Sequence, residues 1–591
     1  MKKTLLSLIV AFAASTLQAQ WVNDPATNTK LATASSRACE IYLRTHEASG
    51  DTYIQWSDSA SNGWSVNLQR INASGIPQWG DAGIHIGSQQ FESWSSGYAL
   101  AITSDNNAVT CFANADNECI AIKFDKDGNT LWGEQGISVF NLPEESIGRL
   151  KVELQAGTDG GIWVLAHDFN NAYLRYINAD GTSNPAVTIS DEESACQDGL
   201  MVPGPDGTVF VAYKKLSPKQ ATYQTLNNEI WVASYNVNGT VATAPVQLME
   251  SQHFDKIQLH DIVPDGIGGG YVFICHSGFN DDGFEVPFNT YVFHFDSNGQ
   301  STISDLKGVA VHSFDPENNY VNPYATVDPV THDLILVYRQ IDSNTESESR
   351  IFANRITTTG ELLWGEGKLI ADNEEEWYFL RPTIDAYPDG SGFMVSYQKT
   401  PMYDLYYYTF EAYGYDMEAN QTWHTQICSV PDFRIYLGNT SGFHNGQNIF
   451  VWFTSDGFLY GQNIDMNGKM GPTSVNENVS SLSANIFQNG NSLIVSCEGL
   501  SQVEIISITG QSIKTVKANG NAAEINVSNL TKGLYIVRMN DANGNIVAKK
   551  TYDQIAITLA NTENRIVKNM AILFFYIKQK KHIFAAKIIT N

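Results

Sequence analysis

The chain is 591 residues long, with 63 Asp and Glu against 36 Lys and Arg and a formal charge of −27. That balance argues strongly against nucleic acid and anionic membrane as partners, because binding a polyanion needs concentrated positive charge. With 43% hydrophobic residues, 28 Phe, 27 Tyr and 12 Trp, disorder as the main state is excluded too, while 46 glycines against 18 prolines favour many tight turns and β structure.

In chain order, the first element is an export signal over residues 1–19. Lys2 and Lys3 precede an apolar run at residues 5–14, and Leu17-Gln18-Ala19 is a small-residue cleavage site. The run is too short to span a bilayer, so a mature chain starting near Gln20 is expected to carry no transmembrane anchor. The seven cysteines are scattered and form no CxxC pair, which gives no indication of zinc. Cys111 and Cys119 are spaced to bridge two neighbouring strands, and two buried single thiols are the other reading.

An internal repeat follows. A short β-type run such as Thr52-Tyr53-Ile54-Gln55-Trp56 or Leu334-Ile335-Leu336-Val337-Tyr338 recurs eight times, ending at Trp56, Phe112, Ala166, Tyr213, His276, Tyr338, Tyr397 and Phe453. The mean period is about 57 residues, compatible with four-stranded propeller blades that have lengthened loops. Before each run comes a Gly/Asp/Asn-rich turn, as in Pro205-Asp206-Gly207 and Pro388-Asp389-Gly390. After it comes a second strand and a turn closing at Gly75, Gly128, Gly181, Gly239, Gly299, Gly360 and Gly468, with Asn420 expected in that place in the seventh unit. Trp79-Gly80, Trp132-Gly133 and Trp364-Gly365 continue three of the units, and the seventh keeps Trp423.

Four short strands per unit cannot bury a core alone, but arranged radially each small sheet packs its face on the next. Trp21 followed by Lys30-Leu31 echoes Trp364 followed by Lys368-Leu369, so an N-terminal strand is expected to complete the last blade and fasten the ring. Residues 20–473 thereby resemble the secreted β-propeller proteins of Bacteroidetes-type bacteria, whose units end in a turn followed by a Leu-Trp-Gly-x-x-Gly-like strand. The resemblance implies an all-β architecture of about eight blades, seven being the alternative, and supplies no catalytic residue.

Residues 474–554 change to small polar residues and short β-runs with turns at Gly510, Gly533 and Asn543-Gly544, the pattern of a compact β-sandwich. Gly510, Gln511, Leu530, Gly533, Tyr535 and Arg538, closed by Lys549 and Lys550, resemble the C-terminal sorting domain of the type IX secretion system. The family's opening Tyr-Pro-Asn-Pro element is present only as Ile486-Phe487-Gln488-Asn489. The resemblance implies recognition by the outer-membrane secretion machinery and a secreted or cell-surface destination. Residues 555–591 form an atypical basic tail, for which a membrane-associating segment and a read-through of the gene are the two readings.

No HExxH zinc site and no GxSxG nucleophile elbow is present, and the glycines at 266–270 precede a strand rather than open a helix. Asp125-Lys126-Asp127-Gly128-Asn129 lacks the remaining ligands of a calcium loop and reads as a hairpin turn. From the bulky position to the following turn, units four to seven run 22–26 residues against 15–19 elsewhere, so four adjacent blades are expected to wall one side of the ligand-binding face. Candidate ligand-binding residues there are Lys214, Lys215 and Tyr223; His276, Asp281, Asp282 and Glu285; Asp342; and Tyr403, Tyr406 and Tyr408. Tyrosines with acids suit a glycan or peptide, and clustered carboxylates are ligands that Ca2+ takes. His276 stands where other units have mostly aromatic residues and reads as a packed histidine. A binding protein is the expectation, with a polysaccharide hydrolase or lyase and a structural surface protein as alternatives.

Overall fold

The computed structural model describes residues 21–471 and 485–554 apart from short connections, among them 219–226, 277–287, 343–348 and 402–407. Residues 1–20, where the sequence leads one to expect an export signal, and residues 555–591 lie outside the described residues. The chain divides into two compact units, residues 1–475 and 476–591. No helix among the described residues is long and apolar enough to cross a membrane.

The first unit is built of eight antiparallel sheets, here blades 1 to 8. In blades 1 to 7 the strands follow one another from the ring axis outwards, as in blade 1, where Cys39–Thr45, Thr52–Ala60, Gly63–Ile71 and Ile84–Phe91 are the inner, second, third and outer strands. The repeated apolar run is the second strand, which is buried on both faces because each sheet is covered by its two neighbours. Eight hydrophobic clusters, each shared by two adjacent blades, run round the ring. The one that closes it joins Ile41, Leu43 and Trp56 of blade 1 to Ile449, Val451 and Phe453 of blade 8.

Closure uses the N-terminus, as the echo of Trp364 in Trp21 implied. Thr29–Thr33 pairs antiparallel with Phe458–Ile464 as the outer strand of blade 8. The Trp21 indole donates to the Ala73 carbonyl at 3.1 Å, in the turn that follows the third strand of blade 1. Trp79 to Lys126 (3.1 Å), Trp132 to Ala179 (3.1 Å) and Trp423 to Met466 (2.8 Å) repeat this link from one blade to the turn of the next. Trp21 thus does for blade 8 what the later tryptophans do for their own blades.

In five of the blades the Gly/Asp turns have a second role. The aspartate of the turn after the inner strand reaches the penultimate residue of the third strand: Asp51 with Arg70 (2.7 Å), Asp105 with Lys123 (3.3 Å), Asp159 with Tyr176, Asp265 with His294 (3.2 Å) and Asp333 with Arg355 (2.8 Å). At the following turn Asp125 accepts from the amides of Asp127 and Asn129 at 2.9 and 2.8 Å, which makes it a turn cap. Blade 7 corrects the expectation for Asn420. The left-handed residue there is Ala419 (φ +63°), while Asn420 takes the position of Asn129 and bonds back to Asp416.

The second unit has two antiparallel sheets, one of Asn485–Asn489, Ser492–Ser496 and Ala522–Asn526, the other of Ser512–Lys517, Gln502–Ser507, Gly533–Asn540 and Ile546–Gln554. Leu493, Val495 and Ile525 of the first share one core with Val503, Ile505, Val537 and Met539 of the second.

Candidate functional site

The inner strands are where the repeat departs from regularity. In blades 2 and 3 they pair with the second strand without interruption. In blades 1, 4, 5, 6 and 7 each carries one extra residue, a β-bulge, at Glu40, Asp198, His260, Asn322 and Arg381 respectively. Four of these stand in the left-handed region: Glu40 (φ +49°), Asp198 (+50°), Asn322 (+55°) and Arg381 (+49°). A non-glycine residue held there costs on the order of 1–3 kcal/mol, and bulges re-aim side chains next to functional sites. The bulges of blades 1, 4, 6 and 7 lie beside Trp56, Tyr213, Tyr338 and Tyr397, the bulky ends of the repeated run. Ala166 in blade 3 and the bulky Phe112 in blade 2 face no bulge.

All five bulges lie towards the same end of the ring. The start of each inner strand pairs with the end of its second strand, as Asn318 does with Asp342 and Trp377 with Pro401, and the long connections of blades 4 to 7 leave from there. The bulged strands therefore frame one mouth of the central channel.

Charged groups from blades 1, 3 and 5 meet in that channel. Enclosure by the surrounding strands pushes the Glu153 carboxyl up to about 7, helped by the charge of Asp261 and opposed by Arg44 and Lys151. Asp261 is pushed up to about 6 by the same enclosure, against the Ile262 amide (2.8 Å) and Arg44. Glu153 is half-buried in the wall, whereas Asp261 and Arg44 are exposed to channel water. Half-buried aromatic rings stand beside them: Tyr42, Tyr324, and His260, which stacks on Phe273 at 6.1 Å.

Beside this group, Asp198 joins two blades. Its carboxylate lies 2.8 Å from Lys214 and 3.4 Å from Lys151 of blade 3. Burial raises its pKa, but the two lysines outweigh that and hold it below the ordinary carboxylate range. His167 nearby is buried and pushed down to about 4.

Of the residues singled out in the sequence, Lys214 is committed to Asp198, and Lys215 lies 3.7 Å from Asp191 and 5.2 Å from the Trp231 ring. His276 is fully buried with its ring edge-on to Tyr291, the packed histidine expected. Asp342 ends its second strand at the channel mouth, and Tyr408 opens the third strand of blade 7, packed against the core shared with blade 8. Tyr223, Asp281, Asp282, Glu285, Tyr403 and Tyr406 lie outside the described residues, and of the acids considered for Ca2+ only Asp342 lies within them. Among the described residues no cluster of His, Cys, Asp and Glu is placed to hold a metal ion. The channel residues were missed in the sequence. Their signal was a charged or proline-flanked residue inside an inner strand, as in Asn322-Pro323 and Arg381-Pro382, where a proline that cannot join the ladder marks a bulge.

In the second unit Tyr535 is buried, Leu530 packs against the core, and Arg538 forms an ion pair with Glu504 of the neighbouring strand. Gly533 opens that strand, and Lys549 and Lys550 lie in the last one. Gly510 and Gln511 lie outside the described residues.

The class these features define is an all-β propeller that carries a separate β-rich unit for its delivery. Residues 485–572 match the family described as the secretion system C-terminal sorting domain, so the chain bears the sorting domain of the type IX secretion system and is secreted to the cell surface or beyond it. No curated protein matches the sequence. Among solved structures the chain is similar to puromycin hydrolase (12% identity, TM-score 0.41, 73% of this chain and 61% of that one). It is also similar to a polysaccharide lyase described as an ulvan lyase (12% identity, TM-score 0.40, 64% and 93%) and to the WD40 domain of SCAP from fission yeast (11% identity, TM-score 0.39, 74% and 97%). None of these likenesses bears on what this chain does.

Proposed function

We propose that the protein is a secreted binding protein that takes a glycan at the bulged mouth of its propeller channel. The observation that carries this reading is the gathering of five β-bulges, four of them strained, at the end from which the long connections of blades 4 to 7 leave. Strain of this kind persists only where the surroundings over-determine it, and it gathers at active sites and ligand clamps. Tyr42, Tyr324 and His260 offer ring faces to a sugar, while Arg44, Arg381 and Asp261 offer polar groups to its hydroxyls. The purified chain is expected to bind members of a glycan array, with Arg381→Ala and Asp261→Asn each weakening binding at least tenfold. Glycan binding unchanged in both variants would remove the channel mouth as the site. Capture of peptides instead would replace the ligand class, and binding of neither would favour the structural role.

A second reading, cleavage of a polysaccharide, is supported by one observation, the two channel carboxyls drawn towards neutral values by enclosure. A general acid that holds its proton near neutral pH beside a second carboxyl is the arrangement used in glycoside cleavage. Turnover of any bound glycan that is lost in Glu153→Gln, with binding retained, would put this reading first.

A further inference from the structure

The second and third strands of blade 2, Ala108–Ala113 and Glu118–Phe124, form a hairpin in which Ala113 pairs with Cys119 and Cys111 with Ala121. The two cysteines are therefore diagonal neighbours on one face of the sheet. Their sulfurs lie 3.3 Å apart, and both residues are fully buried in the core between blades 2 and 3. Ala99, Ala121 and Ala166 are among the residues of that core, so small side chains leave room for the sulfurs to turn towards each other. The other cysteines whose burial is described, Cys196, Cys275, Cys428 and Cys497, are buried in other blades or in the second unit.

We propose that Cys111 and Cys119 are joined by a disulfide in the exported protein, a covalent clasp on the blade 2 hairpin. An S–S bond of ~2.05 Å requires the sulfurs to close by little more than an ångström, which rotation about the two Cα–Cβ bonds supplies. The destination of the chain favours it, since disulfides persist in secreted proteins. The oxidant is a protein disulfide of the thiol-oxidase class. One cysteine thiolate attacks it to give a mixed disulfide and release one oxidant thiolate. The second cysteine thiolate then displaces the remaining oxidant sulfur, so that the pair gives up two electrons and two protons and the oxidant leaves as a dithiol. Burial pushes the Cys111 thiol well up once the blade has formed, so the exchange belongs to the stage before blade 3 covers the hairpin.

The test uses the mature chain recovered after export, denatured in an alkylating agent without reductant and digested. The expected result is a linked peptide pair containing Cys111 and Cys119, two hydrogens lighter than the separate peptides and absent after reduction. Recovery of both cysteines in alkylated form overturns the proposal. In parallel, denaturation with and without reductant is compared for the parent and for Cys111→Ala/Cys119→Ala. Reductant is expected to lower the midpoint of the parent only, and an unchanged parent midpoint counts against the clasp.

Discussion

Ala419 holds a left-handed conformation at the place where other units have glycine, and its amide bonds to Asp416 as that of Gly128 does to Asp125. A side chain with a Cβ pays roughly 1–2 kcal/mol in that region, part of which Ala419 recovers by packing on the core between blades 6 and 7. Ala419→Gly is therefore expected to stabilise the propeller by about 0.5–1 kcal/mol, read as a rise in the urea midpoint with unchanged slope. A fall would mean that the packing outweighs the strain. Asn420 was the residue the sequence pointed to, because asparagine tolerates positive φ. The shift by one position could not be read from composition, since it is set by which amide closes on Asp416.

At the scale of the element, the tryptophan that reaches into the next blade's turn adds a close contact to the demand that turn geometry already makes for glycine. A Cβ on Gly75 (φ +77°) would stand 2.7 Å from the Trp21 ring, whereas one on Gly133 (φ +89°) would meet nothing within 4 Å. Gly133→Ala should thus cost only the conformational strain of ~1–2 kcal/mol. Gly75→Ala should cost more and free the N-terminal strand, read as faster limited proteolysis near Thr29–Thr33. Trp21→Ala, which empties a buried site in the closing core, is expected to cost about 3–5 kcal/mol. Equal costs for the two glycine variants would deny Trp21 its part in closure. The repeat, the closing strand and the sorting domain were legible because each is written within one stretch of chain. Two of the five bulges were written there too, in Pro323 and Pro382, but a search for apolar runs passes over the strands that hold them. The meeting of Arg44, Glu153 and Asp261 was not legible, because only ring closure brings blades 1, 3 and 5 to one axis.

That convergence is a property of the whole molecule, and it makes the stability of the ring depend on pH in a definable direction. Glu153 has an ordinary value of 4.5 and is pushed to about 7 in the folded ring, first by enclosure and then by Asp261. Below 4.5 the carboxyl is protonated in both the folded and the unfolded chain and exacts no penalty. Between 4.5 and about 7 the folded protein keeps a proton that the unfolded chain has released, so stability falls as pH rises through this window. Above it the full penalty of a charged, enclosed carboxylate is present, roughly 1–3 kcal/mol once channel water is allowed for. Asp261 acts in the same direction up to about 6, more weakly because it faces that water. Asp51 and Asp198, held low chiefly by their cations, and Asp105, held low first by the Thr103 hydroxyl and then by Lys123, act oppositely and at lower pH, their stabilisation being lost on acidification through and below the ordinary value of 3.8. Glu153→Gln is therefore expected to match the parent near pH 4.5 and to become the more stable of the two as pH rises to 7.5, with Arg44, Lys151, Tyr42 and Asp261 left in place. Parallel stability curves for the two proteins across that range would mean that Glu153 does not share the enclosed channel with Asp261. The same result would weaken the case for polysaccharide cleavage while leaving the glycan site at the bulged mouth intact.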